Sequence, residues 1–210
     1  MREQIVKQLN DVGFVNNAQM IDSLTEFLSL LIKWNEVHNL TAVTKPHDMI
    51  ERHLVESLAL SSFLQGNRIA DVGSGAGIPG IPLAITEPQR QFTLIESRAK
   101  RASFLRHVSG KLGLKNILVE HVRVEELSPE LPFETVCARA VAPLKDLLKL
   151  TKNLFRPETV LLALTGESFE GDSATLEGGY FAQRASGSIT ELFNGSLIVV
   201  KKLSDSTFYD

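Results

Sequence analysis

Residues 71–80 read Asp-Val-Gly-Ser-Gly-Ala-Gly-Ile-Pro-Gly, directly after a short apolar run, RIADV. Glycines at 73, 75 and 77 let a backbone turn tightly and approach a ligand closely. A helix starting near Pro79 would point its N-terminus at the same place. Gly75, Gly77 and Gly80 satisfy G-x-G-x-x-G, and Glu96 ends the next strand-like run at the distance of a ribose-binding acid. Two ligand classes compete for this loop. A dinucleotide would rest its pyrophosphate on the helix N-terminus. A methyl donor carries a cationic sulfonium and an amino-acid tail, and would favour an acid beside the loop. Asp71 suits the second class and has no obvious task beside a pyrophosphate. Pro79 and Pro82 also crowd the helix start in a way that the dinucleotide fingerprint does not require.

The elements that must position this loop are legible as alternating patterns. RIADV, QFTLIE, NILVEH, ETVCAR and TVLLALT read as strands. Helical stretches at 79–86, 98–113 and 143–153 lie between them. Strands separated by helices predict a doubly wound, mostly parallel α/β sheet covered on both faces. Ligands in such sheets sit at the carboxyl ends of the strands, which is where the glycine loop falls. The tail departs from this alternation. GGYFAQRASGSITEL and SLIVVKKL follow one another around Asn194-Gly195, which predicts an antiparallel C-terminal strand pair. Residues 166–179 read as a long loop and a candidate mobile segment.

The first 64 residues read as helices instead. Ile5, Val6, Leu9 and Val12 form one amphipathic patch. Asn17 can cap a longer helix whose stripe carries Met20, Leu24, Phe27, Leu28, Leu31 and Trp34. A third helix follows Pro46, with Ile50, Leu54 and Leu58 inward. The predicted organisation is a helical cap, 1–64, on an α/β core, 65–210, forming one structural unit.

Charge sharpens the picture. The 210 residues carry 22 Lys and Arg against 25 Asp and Glu, a net charge of −3. That average hides a basic segment, 89–123, at +6 and an acidic tail, 158–210, at −5. A basic run beside a ligand loop is either a solvated face or a phosphate-facing patch. No apolar run approaches the roughly 18 residues of a membrane helix. The lone Cys137 reads as a small buried hydrophobe that closes no intrachain disulfide, and no export signal opens the chain. A cytoplasmic protein is expected. The five histidines lack ligand spacing, so no metal site is expected. Trp34 reads as core.

The run DVGSGAGIPGIPLAI is similar to the S-adenosylmethionine loop of class I methyltransferases. Its GIPGIPLAI continuation resembles one family, the bacterial 16S ribosomal RNA guanine-N7 methyltransferases called RsmG, or glucose-inhibited division protein B. KWNEVHNLTAV, ERHLVESL, ESRAKRASFL, RVEEL and ARAVAPL support the resemblance, which runs from about Leu30 to Leu203. It implies a donor pocket formed by Gly73, Gly75 and Ile78 with Asp71 beside them. Glu96 would bind the ribose, and Val124 and Glu125 would border the adenine. Arg139 would sit near the donor carboxylate or the target base, as the candidate catalytic residue. Arg52, His53, Lys100, Arg101 and Arg123 would face RNA, and Asn39 lies in the same helical segment. His53 reads more readily as a packed side chain than as a ligand contact. The implied partner is 16S RNA within the small ribosomal subunit or its precursor, approached by a monomer. The chain departs from the family pattern at Ala76, where proline is usual, at Glu56, where aspartate is expected, at Thr165, where lysine is common, and at Asn194 and Ser196, where a basic residue is common.

The chemistry implied agrees with the residue inventory. Guanine N7 is an exposed acceptor with a free lone pair and needs no general base. No Ser/His/Asp set is apparent, and none is required. Positioning alone can supply roughly 7–11 kcal/mol of such a barrier. An arginine that serves the reaction must leave N7 free. An NAD-dependent oxidoreductase and a non-catalytic RNA-binding protein with a residual donor pocket remain as alternatives.

Overall fold

The computed structural model describes residues 1–166, 169 and 172–203. Helices α1 (Arg2–Asp11) and α2 (Ala18–His38) open the chain. Asn17 caps α2 by accepting a hydrogen bond from Met20 N at 2.9 Å. Asn39 ends it in a left-handed conformation, φ 47°. The third helical stretch is composite: α3 (Pro46–Met49), a π-helical turn (Ile50–Val55), α4 (Glu56–Ala59) and a 3-10 turn (Leu60–Phe63).

From there strands and helices alternate. β1 (Arg68–Val72), α5 (Gly80–Thr86), β2 (Gln91–Ile95), α6 (Ala99–Leu112) and β3 (Ile117–Glu120) come first. β4 (Thr135–Arg139), α7 (Leu144–Thr151) and β5 (Val160–Thr165) follow. β6 (Ser173–Leu176), β7 (Tyr180–Arg184) and β8 (Ser196–Lys202) complete one eight-stranded sheet in the order β3-β2-β1-β4-β5-β8-β7-β6. The first five strands are parallel, and β8, β7 and β6 are added antiparallel. The α/β architecture is therefore the expected one.

Two local expectations need correction. The antiparallel addition has three strands, because part of the stretch read as a loop forms β6. Its hairpin to β7 turns on Gly178 and Gly179, both at positive φ, 85° and 74°. Residues 167, 168, 170 and 171 of that stretch lie outside the described residues. Asn194-Gly195 is not a two-residue hairpin either. Only Asn39 and Ala140 among described non-glycine residues have positive φ, so Asn194 does not adopt a type I′ turn. The connection runs over 185–195 with a 3-10 turn at Ser188–Leu192.

The sheet sorts its side chains by parity. Ile69, Phe92, Leu94, Cys137, Leu162 and Leu164 join one apolar cluster with the N-terminal helices, α5 and α6. Ala70, Val72, Ile95, Val136 and Ala138 join another, with α7. Asp71, Glu96 and Arg139 have the parity of the first set. All three therefore belong to the face that the N-terminal helices cover. Trp34 is half-buried there, its ring centroid 5.5 Å from that of Phe104, and Cys137 is buried.

Candidate functional site

β1 lies between β2 and β4, so the helices that follow β1 and β4 diverge and leave a crevice at the carboxyl ends of these strands. The glycine loop fills its floor. Gly73 N and Ser74 N both donate to Ile95 O, at 2.9 and 3.2 Å, tying the loop to the end of β2. Gly73, Gly75 and Gly77 all have positive φ, 65°, 54° and 79°. Gly80 is required for a different reason: a Cβ there would lie 2.6 Å from Asp71 Oδ2.

Asp71 does not face the crevice. It is 1% exposed, beneath the loop, and its Oδ2 accepts from Gly80 N at 3.1 Å. Its Oδ1 has no hydrogen-bond partner. Burial pushes the carboxyl up to about 7, against the hydrogen bond from Gly80 N and the nearby Ser74 hydroxyl, which donates to the Asp71 backbone O at 2.8 Å. The first amides of α5 are thus consumed internally, since Ile81 N donates to Gly77 O at 2.8 Å. A pyrophosphate needs such amides free. This arrangement removes the structural basis for the dinucleotide reading.

Glu96 ends β2 and is 4% exposed. Oε2 accepts from Gly75 N at 3.0 Å and Oε1 from Arg98 N at 2.7 Å. An ionised carboxylate has about four acceptor positions, so two remain for hydroxyl donors.

The crevice has a volume of about 490 Å³, within the range of small-molecule sites. Gly73, Gly75, Ile78, Glu96 and Arg139 line it, as do Arg52, His53 and Arg101. Thus five predicted donor-site residues and three predicted RNA-side residues meet in one place. The other five lie elsewhere. Asp71 is below the floor. Val124 is buried in the opposite core cluster, and Glu125 beside it is exposed. Lys100 and Arg123 are exposed outside the crevice. A larger groove, about 800 Å³, lies between α7 and the β6–β7 hairpin, away from the glycine loop.

Sequence reasoning does not single out Thr41 or Val141, which also line the crevice. Thr41 stands within the NLTAV motif. Its hydroxyl lies 3.1 Å from His53 Nε2 and accepts from Val43 N at 3.2 Å. His53 is buried, and its pKa falls to about 4, first through burial and then through the charge of Arg139. It is neutral at physiological pH.

Arg139 ends β4 and reaches the helical stretch. Its Nη2 lies 2.9 Å from Glu56 Oε2, and its Nη1 donates to Arg52 O. One of the five guanidinium N–H groups is hydrogen-bonded, to Arg52 O, and Nη2 is held in the ion pair with Glu56. Among the described residues, no group of three or more His, Cys, Asp or Glu could hold a metal ion.

A family model described as rRNA small subunit methyltransferase G (GidB) matches residues 20–196. A protein of Halorhodospira halophila named ribosomal RNA small subunit methyltransferase G is 42% identical over 175 residues, 83% of each chain. One of the same name from Xylella fastidiosa strain M23 is 46% identical over 156 residues, 74% of this chain and 73% of the relative. Among solved structures, a methyltransferase from Geobacter sulfurreducens superposes with a TM-score of 0.60 at 11% identity, covering 95% of this chain and 96% of that one. A point mutant of MtNAS, in complex with S-adenosylmethionine, gives 0.55 at 17% identity, with 97% and 84% covered. These two likenesses concern the fold.

Proposed function

The chain belongs to the rRNA small subunit methyltransferase G family, and from that premise we propose that it moves a methyl group from S-adenosylmethionine to N7 of a guanine in 16S ribosomal RNA. The observation that carries the reading is the crevice itself. Its glycine loop, the Glu96 carboxylate and a phosphate site closed by Asp71 suit an adenosine-bearing cation better than a dinucleotide. S-adenosylmethionine, when bound, supplies an electrophilic methyl group on a sulfonium.

The chain's own residues then have limited tasks. Glu96 offers its two remaining acceptor positions to ribose hydroxyls. Gly73, Gly75 and Ile78 shape the floor. Val124 and Glu125 would border the adenine only from beyond the crevice wall. Arg139 presents its remaining N–H groups, which can hold the guanine O6, a phosphate or the donor carboxylate while N7 stays free. N7 needs no deprotonation, so a neutral His53 is compatible with the reaction and serves to pack the helical stretch. The cap, 1–64, and the core, 65–210, would act as one unit, as a monomer, on the small subunit or its precursor. No helix among the described residues is long and apolar enough to cross a membrane.

Tritiated S-adenosylmethionine should label 16S RNA or small-subunit particles from cells lacking the modification, and mass mapping should place N7-methylguanosine in the product. Label in none of these substrates, with the donor still bound, would refute the proposal.

RNA affinity should also be strongly salt-dependent. Among the described residues, Arg98, Lys100, Arg101, Arg106, Lys111, Lys115 and Arg123 take no part in any ion pair within 4.0 Å. If about three of them meet phosphates, affinity falls by roughly tenfold or more between 50 and 200 mM salt. A filter-binding titration checks this. A flat response would mark the segment as a solvated face.

A further inference from the structure

Glu56 is among the most buried ionisable side chains, 1% exposed, and a buried charge is tolerated only when paired. Its two oxygens serve different parts of the molecule. Oε2 holds Arg139 at the end of β4. Oε1 accepts from the backbone N of Asn194 at 3.2 Å, in the connection between β7 and β8. That connection is pressed against its neighbours. The Phe193 ring centroid lies 6.5 Å from that of Phe63, and a Cβ on Gly195 would lie 2.5 Å from Thr165 O at the end of β5. The partner that Arg139 finds on its other nitrogen is Arg52 O, in the π-helical turn just before Glu56.

We infer that Glu56 is a positioning residue for methyl transfer: one buried carboxylate aims Arg139 into the crevice and fixes the 185–195 connection beside it. The inference rests on the function proposed above and on Arg139 facing the substrate. Glu56 itself does not line the crevice, so it acts through Arg139. This gives the antiparallel strands a task in the reaction. They carry the segment that completes the socket of Glu56, although they lie far along the chain from the glycine loop. Without the charge on Glu56, the half-buried guanidinium keeps only the Arg52 carbonyl and is free to turn.

The test compares Glu56→Gln, Glu56→Asp, Arg139→Gln and the double variant E56Q/R139Q with the wild-type protein. The substrate is unmodified small-subunit RNA, and S-adenosylhomocysteine affinity is measured by calorimetry. E56Q should lower kcat by about tenfold or more, while the KM for RNA and the affinity for S-adenosylhomocysteine stay within about twofold. E56D should restore part of kcat. The double variant should be no slower than R139Q alone, because the two changes act through one group. In 15N-arginine spectra, slowly exchanging Nη signals of Arg139 in the wild-type protein should be lost in E56Q, a readout that needs no turnover. Wild-type kcat in E56Q, or losses that multiply in the double variant, would overturn the inference while leaving the proposed function intact. A wild-type protein that methylates no RNA would overturn both.

Discussion

Gly73→Asp abolishes binding of S-adenosylmethionine, with calorimetric affinity down by about 100-fold or more and the melting transition kept. Gly73 sits at the lip of the glycine loop at φ 65°, exposed to the crevice. Aspartate tolerates this backbone region better than most residues, so folding survives. Its side chain does not fit as easily. A Cβ at this position would already lie 3.0 Å from Val141 Cγ2, and the carboxylate must extend from there into the crevice. It would bring a third acid close to Glu96 and Asp71, and it would occupy volume that the ligand needs. Losing a site by filling it costs most of the binding free energy, and a loss of about 100-fold corresponds to about 2.7 kcal/mol. Unchanged affinity would show that the donor binds elsewhere.

The second large effect concerns pH. Asp71 has its pKa raised from 3.8 to about 7 in the folded chain. Between these values the folded state holds a proton that the unfolded state has released, so stability falls as pH rises through that window. At about 1.36 kcal/mol per pK unit, the loss is about 4 kcal/mol. His53 acts in the opposite sense. Its pKa is lowered from 6.5 to about 4, so below 6.5 the unfolded chain takes up a proton that the folded chain refuses. Its contribution is therefore fully present above pH 6.5 and declines by about 3 kcal/mol as pH falls towards 4. The two slopes nearly cancel in the wild-type protein, with Glu56, also raised by burial, adding to the side of Asp71. His53→Gln should unmask the carboxylates, giving stability that decreases from about pH 4.5 to about pH 7. Asp71→Asn should leave the opposite trend dominant, since its amide oxygen can still accept from Gly80 N. Urea midpoints across this pH range decide the matter. Parallel profiles for the three proteins would show that neither burial holds in solution.

Much of this arrangement is readable in the sequence. The five parallel strands announce themselves as apolar runs; β1, β4 and β5 are buried on both faces and need no alternation, while β3 is an edge strand that leaves Leu118 exposed. Which face Asp71, Glu96 and Arg139 share is set by the packed clusters of the fold and not by the runs themselves. The features that stay hidden do so for physical reasons. The π-helical turn adds a residue without disturbing the i, i+4 spacing of Ile50, Leu54 and Leu58, so it leaves no mark in the pattern. β6 is a four-residue edge strand of mostly small and polar side chains, held by pairing with β7 rather than by burial. Gly195 reads as half of a hairpin signal, but its approach to Thr165 O is what requires glycine there. Asp71 reads in the sequence as an acid beside the donor, yet it lies below the floor, a place that depends on the Gly80 contact and that only tertiary structure reveals. The Glu56–Arg139 pair joins α4 to the end of β4 across a long stretch of chain, and no local pattern announces it.

The closed N-terminus of α5 has a consequence for life in a crowded cell. Adenosine is the common handle of many metabolites, and most of them carry phosphates. A pocket that recognised only the nucleoside would be occupied by the most abundant of these. Here Gly80 N and Ile81 N are spent on Asp71 and Gly77, so a phosphate chain arriving with its adenosine would meet a spent donor set and a buried acid. In a crevice that takes the proposed donor, competition would be answered by withholding a contact that phosphorylated rivals need and a sulfonium does not.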